Sequence, residues 1–219
     1  MAKFSRIEVY EAMHTTGMVP VFYNPSPEIC IGTVSACYAG GVRVFEFTNR
    51  GDGAVDVFRQ LISFVRSSCP ELRLMVGSVT DSATAALYIS LGADGIVSPI
   101  LDSDTAAVCN GRKIAWVPGC GTLGEIDRAH RLGAEVVKIF PAEAVGGPKF
   151  VKAVLAPMPW CSIMPTGGVE PTRENLAAWF SAGVFTVGMG SKLFPQGNDY
   201  DLLEKRCKET LSIISDIRK

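Results

Sequence analysis

Eight strand-like segments alternate with helix-like ones along the 219-residue chain, and a glycine recurs at the entrance to every second strand. The hydrophobic content of 47% is enough for one sizeable core. Together these observations predict an α/β fold, a single (β/α)8 TIM barrel over residues 1–219 with an additional N-terminal helix. An open doubly wound sheet is the other arrangement of the same elements.

The leading helix is expected at Phe4–Thr15, ahead of a first strand at Met18–Tyr23. Pro27, suited to a first helical turn, opens a helix to Tyr38. Apolar, β-branched runs bounded by turn residues place strand two at Val42–Thr48 and strand three at Leu72–Val79, with a helix Ala54–Ser67 between them. Thr80-Asp81-Ser82 offers an N-cap for a helix ending near Leu91. Strand four is Gly95–Ile100, followed by a short helix Ser103–Asn110. Strand five is Ile114–Pro118, and Thr122 starts a helix reaching Leu132. Strand six is the run Val136–Phe140. Gly146-Gly147-Pro148 opens the next helix, strand seven is Ser162–Thr166, and Pro171 begins a helix ending near Ser181. Strand eight is Phe185–Gly188, and the closing helix starts near Tyr200.

The recurring glycines are Gly41, Gly92, Gly133 and Gly183, and the fifth residue after each is Glu46, Val97, Lys138 and Gly188. In a barrel, alternate strands supply one inward layer, so an equivalent register would set Glu46 facing Lys138 across the axis. Side-chain alternation puts Val44, Glu46 and Thr48 on one face of strand two and turns Phe45 and Phe47 the other way.

Net charge is −1 with scattered basic residues, which points away from a nucleic-acid or membrane surface. The N-terminal residues lack a signal-like apolar stretch, and no apolar run reaches the roughly 20 residues of a membrane span. The seven cysteines are dispersed without C-x-x-C spacing, and only His14 and His130 accompany them. They read as reduced thiols of a cytosolic protein, with no dedicated metal site.

Lys138 is the one charged residue inside Val136–Phe140. Burial disfavours a charged amine, and a neutral amine in a dry pocket attacks carbonyl carbon to form a Schiff base. The plainer role is a strand-end lysine whose head reaches solvent. Glu46, among Val44, Phe45 and Phe47, suits acid–base work or a structural ion pair. Arg50 lies past the end of strand two, where its planar fork could hold a carboxylate. Gly167-Gly168 and Gly190-Ser191 follow strands seven and eight, the loops that commonly hold a phosphate in barrel enzymes.

Taken together, Glu46-x-Thr48-x-Arg50, Lys138-Ile139-Phe140-Pro141-Ala142-Glu143 with Gly146-Gly147, Pro165-Thr166-Gly167-Gly168 and Gly190-Ser191 resemble one family. It comprises the 2-keto-3-deoxy-6-phosphogluconate (KDPG) and 4-hydroxy-2-oxoglutarate (KHG) aldolases. The resemblance implies a class I carbon–carbon lyase that needs neither metal nor cofactor, forms a homotrimer and works in the cytoplasm on the Entner–Doudoroff route. Its small-molecule partners would be a 2-keto-3-deoxy sugar acid phosphate and pyruvate. By matching positions, Lys138 would form the Schiff base and Glu46 would move protons. Arg50 and Thr166 would surround the pyruvyl portion, and Gly167, Gly168, Gly190 and Ser191 would hold the phosphate. Three segments depart from the pattern. Val76-Gly77-Ser78-Val79-Thr80 stands where the family often reads Gly-Ala-Gly-Thr-Val, so Ser78, or Thr80 after a shift, replaces a threonine at the substrate. Phe22-Tyr23-Asn24 stands where many relatives carry an arginine, and Gly119-Cys120-Gly121 replaces a Gly-x-Ser or Gly-x-Thr segment. Other readings are an aldolase for the galactonate epimer, a phosphosugar isomerase or epimerase, and a non-catalytic phosphosugar-binding barrel.

Overall fold

The computed structural model describes residues 2–219. The order of elements begins α1 (Arg6–Thr16), β1 (Met18–Phe22), α2 (Pro27–Ala39), β2 (Val44–Thr48), α3 (Ala54–Ser68) and β3 (Arg73–Gly77). It continues α4 (Ser82–Leu91), β4 (Gly95–Val97), α5 (Ser103–Gly111), β5 (Ala115–Val117), β6 (Gly119–Cys120) and α6 (Leu123–Arg131). The last elements are β7 (Val136–Ile139), α7 (Gly147–Leu155), β8 (Ser162–Pro165), α8 (Arg173–Ser181), β9 (Val187–Met189) and α9 (Tyr200–Ile217). Every strand pair is parallel. Six strands pair in the order β5-β4-β3-β2-β1-β9, and three in the order β6-β7-β8.

The two sheets curl around one interior. Val19, Val44, Met75, Val97, Ala115 and Val117 from the larger sheet and Val136 and Met164 from the smaller one form a single inner apolar cluster. Val9, Ala12 and Met13 of α1 belong to the same cluster, so this helix closes one end of the interior. The alternate residues, among them Phe45, Phe47, Leu74, Val76, Ile96, Val137, Ile139 and Ile163, pack outward beneath the helices. Strand alternation thus sorts each residue into an inner or an outer core.

The expected fifth strand, Ile114–Pro118, is β5 over Ala115–Val117, and Pro118, whose ring nitrogen has no N–H to give to a ladder, separates it from the further short strand β6. The backbone changes partner there: Val117 O accepts from Ser98 N at 3.1 Å, and Pro118 O accepts from Lys138 N at 2.8 Å. Tyr10 of α1 stands in for a neighbouring strand at β5. Its hydroxyl donates to Trp116 O at 3.1 Å and accepts from Trp116 N at 2.9 Å. The fully buried Asp94 ties down the N-terminal arm, accepting from Lys3 N, Phe4 N, Leu74 N and Arg66 at 2.8–3.3 Å.

Several elements are shorter than the sequence suggests. The Ser5–Glu8 capping box starts α1 at Arg6 rather than Phe4. At Ser78 φ is 59°, which turns the chain out of β3 after Gly77 instead of Val79. Pro99 follows closely on the end of β4, which stops at Val97 rather than Ile100. Thr172 caps α8 by accepting from Asn175 N, so that helix begins at Arg173 and not at Pro171. The final strand starts at Val187, two residues later than expected.

Candidate active site

Lys138 and Glu46 meet inside the curled sheet. Lys138 Nζ lies 3.5 Å from Glu46 Oε1, with the lysine 5% and the glutamate 1% exposed. Val136 and Lys138 share the inner face of β7, while Val137 and Ile139 hold its outer face in the main core. Lys138 Nζ also sits 5.2 Å from the centre of the Phe140 ring. Removing one member of such a buried pair typically costs about 3–5 kcal/mol, because the other charge stays buried and alone. Glu46 Oε2 has no hydrogen-bond partner among the described residues.

The neighbouring strand is shaped to the carboxylate. Thr48 pairs with Gly77 and Glu46 with Met75 along β2 and β3. A Cβ built on Gly77 would overlap Glu46 Oε1, so the carboxylate occupies space that any other residue would take. Thr48 is buried on the face of Glu46, and its Oγ1 also lacks a partner. An unsatisfied buried hydroxyl costs about 1–3 kcal/mol.

A cleft of about 390 Å³, which Thr48 of the Glu46 strand borders, is lined by Val21, Phe22, Tyr23, Thr48, Arg50, Ser191, Phe194 and Pro195. Arg50 is exposed there, and its Nε donates to Ser78 Oγ at 3.4 Å. Of the two hydroxyls weighed on this segment, Ser78 faces Arg50, while Thr80 is exposed beside the Asp81 cap of α4. The loop bearing Arg50 is braced by Tyr88, whose hydroxyl donates to Asn49 Oδ1 at 2.8 Å. Phe22 and Phe194 meet with tilted rings, 4.7 Å between ring centres, on the strand-one segment that departs from the family's arginine.

The two glycine loops lie side by side. Thr166, just past β8, bridges to Gly188 of β9, and a Cβ on Gly188 would overlap Thr166 Oγ1. Thr166 is buried and its hydroxyl has no partner among the described residues. Gly167 and Gly168 take φ of 99° and 78°, and Gly168 O accepts from Asn175 Nδ2 and Trp179 Nε1. Among the described residues, the N–H groups of Gly167, Gly168 and Ser191 meet no backbone acceptor. Lys192 and Glu170 pair at 3.1 Å across the two loops. Gly190 accepts from Leu193 N, folding the chain after β9 into a turn that leaves Ser191 exposed.

All seven cysteines are free and buried. Burial pushes the Cys120 thiol up to about 12, so the sulfur adjoining Lys138's neighbouring strand stays protonated at neutral pH. Among the described residues, no group of three or more His, Cys, Asp or Glu side chains is placed to hold a metal ion.

The geometry offers a buried amine with a carboxylate beside it, an arginine at the mouth and open backbone N–H groups on two adjacent loops. The family model for KDPG and KHG aldolase matches residues 9–206. This chain belongs to that family. A 2-dehydro-3-deoxy-phosphogluconate aldolase of Pseudoalteromonas atlantica is 30% identical over 216 residues, covering 97% of this chain and 98% of the relative. The KHG/KDPG aldolase of Escherichia coli K12 is 33% identical over 208 residues, covering 92% and 94%. A similar fold is found in the crystal structure of a Legionella pneumophila KDPG aldolase with pyruvate captured as a covalent carbinolamine intermediate. It superposes with a TM-score of 0.82 at 24% identity, over 91% of this chain and 96% of that one.

Sequence reasoning singled out Lys138, Glu46, Arg50, Ser78, Thr166 and the glycine loops, and passed over Gly77 and Thr48 as site residues. Alternation along strand two already set Thr48 on the face of Glu46, whereas Gly77 is revealed by the register of β2 against β3, which pairs it with Thr48.

Proposed function

We propose that this aldolase cleaves KDPG to pyruvate and glyceraldehyde 3-phosphate, and KHG to pyruvate and glyoxylate as a second reaction. The observation that carries this reading is the buried Lys138–Glu46 pair, 3.5 Å apart, with Glu46 on the strand whose Thr48 borders the cleft lined by Arg50. Lys138 Nζ, as the neutral amine, adds to the C2 ketone, and the carbinolamine loses water with Glu46 passing the protons. The resulting iminium accepts the electron pair of the C3–C4 bond as it breaks, while Glu46 takes the C4 hydroxyl proton. Glyceraldehyde 3-phosphate leaves as the aldehyde, and C3 of the enamine is protonated. Water then adds to C2 and releases pyruvate and the free amine. Every atom is supplied by substrate, water and these two side chains, so the cycle requires no metal or cofactor.

Arg50, with Ser78 beside it, faces the pyruvyl carboxylate, and Thr166 lines the same end. Gly167, Gly168, Gly190 and Ser191 hold the phosphate through N–H groups and the Ser191 hydroxyl. Remote binding of that kind holds the reacting bond over the lysine. The scaffold reads as one domain, a closed (β/α)8 barrel with α1 as its base. Support comes from the partner exchange at Pro118, the Thr166–Gly188 bridge and the inner cluster common to both sheets. A homotrimer in the cytoplasm, serving the Entner–Doudoroff route, accords with the family resemblance and with seven free thiols. Pyruvate release from KDPG, its C4 epimer and KHG tests the assignment. The highest kcat/KM is expected with KDPG, and no pyruvate from any of the three would overturn it.

A further inference from the structure

Thr48 stands midway between Glu46 and Arg50 on the segment that forms the wall of the site. Each two-residue step along β2 advances about 6.6 Å and returns to the same face. Glu46 and Thr48 therefore share the inner face of β2; the chain turns after Thr48, where Arg50 N donates to Thr48 O at 2.9 Å, and Thr48 and Arg50 line the same cleft. Thr48 is 1% exposed, yet it borders the cleft and its Oγ1 meets no partner among the described residues. A valine has nearly the same shape and would avoid the cost of an unsatisfied hydroxyl. A hydroxyl at this position is explained by a ligand atom that completes it.

We propose that the Thr48 hydroxyl donates a hydrogen bond to the C1 carboxylate of the bound 2-oxo acid, which makes Thr48 a binding residue for that group. The inference rests on Lys138 as the Schiff-base lysine. Bonding to Nζ fixes C2 beside Glu46, and C1 is attached directly to C2. Arg50 is the cation that lines the cleft bordered by Thr48, so a carboxylate directed to Arg50 comes within reach of the Thr48 hydroxyl. Arg50 is exposed and long, so it attracts the anion without fixing it. Thr48, short and β-branched on a buried strand, supplies a donor at a set position.

The test compares the full-length parent with Thr48→Val, Thr48→Ser and Thr48→Ala in borohydride capture of pyruvate, with the adduct measured on the Lys138 peptide. Thr48→Val is expected to raise the half-saturating pyruvate concentration about tenfold or more, the loss typical of a hydrogen bond to a charged group. Its maximum capture rate is expected to stay within about threefold of the parent, and Thr48→Ser to restore affinity. Acetone, which replaces the carboxylate by a methyl group, is expected to be captured equally by all of them. The Ser and Ala variants differ by one hydroxyl and give the same reading if the valine does not fold. Unchanged pyruvate affinity without the hydroxyl, or an equal loss with acetone, would overturn the inference while leaving the parent's Lys138 adduct intact. A parent that forms no adduct on Lys138 would overturn both this inference and the Schiff-base reading.

Discussion

The carboxylate of Glu46 lies across Gly77 of the next strand, in the space a Cβ there would fill. Gly77→Ala therefore pushes Glu46 off Lys138 without touching either charged residue. A fall in kcat of about 10²-fold is expected, close to the loss of a positioned acid–base group. Overpacking is expected to cost about 1–3 kcal/mol in urea unfolding. A variant with near-normal kcat would show that the carboxylate does not need this position.

Glu46→Gln keeps the shape of the side chain and removes its ability to carry a proton. Turnover of KDPG is expected to fall by about 10²-fold or more, with a small change in KM. Steady-state pyruvate release measures it, and a rate near that of the parent would assign the proton transfers elsewhere.

Both of those charged residues could be read in the sequence because each contradicts its neighbours. A lysine within Val136–Phe140 and a glutamate between phenylalanines have no packing rationale on buried strands. Gly77 and Thr48 carry no such contradiction. Gly77 matters through the pairing of β2 with β3, which brings together residues 29 positions apart through the register Thr48↔Gly77, and Thr48 through a buried hydroxyl left without a partner. The same limit applies to Tyr10, whose partner Trp116 is 106 residues away. The alternation of elements and the Glu46–Lys138 meeting followed from local periodicity and one repeated glycine. Strand ends did not, because they depend on the positive φ of Ser78 and on prolines that a neighbouring ladder cannot use.

The glycine loops make a charge-selective prediction. Ser191→Asp places an anion where the phosphate is expected, so KM for KDPG should rise sharply while KM for the unphosphorylated KHG changes little. Parallel kinetics on the two substrates check it, and equal losses would move the phosphate to another part of the surface.

Tyr10→Phe removes the hydroxyl that satisfies both backbone groups of Trp116. Leaving them unpartnered is expected to cost about 1–3 kcal/mol near pH 8. Burial raises the Tyr10 phenol well above its usual range, followed by the effect of the Glu135 charge. Its folded form thus resists ionisation: the stabilisation is intact below about pH 10 and is lost as pH rises further. The gap between parent and variant in urea unfolding should narrow at about pH 11. A gap that widens there would contradict the raised phenol.

Lys138 carries the proposed cleavage, and borohydride reduction in the presence of pyruvate tests its role directly. The parent is expected to gain one reduced pyruvyl adduct, found by mass spectrometry on the tryptic peptide containing Lys138. Lys138→Ala is expected to fold, to carry no adduct and to lose essentially all cleavage. An adduct on a different lysine, or cleavage that survives in Lys138→Ala, would contradict the account.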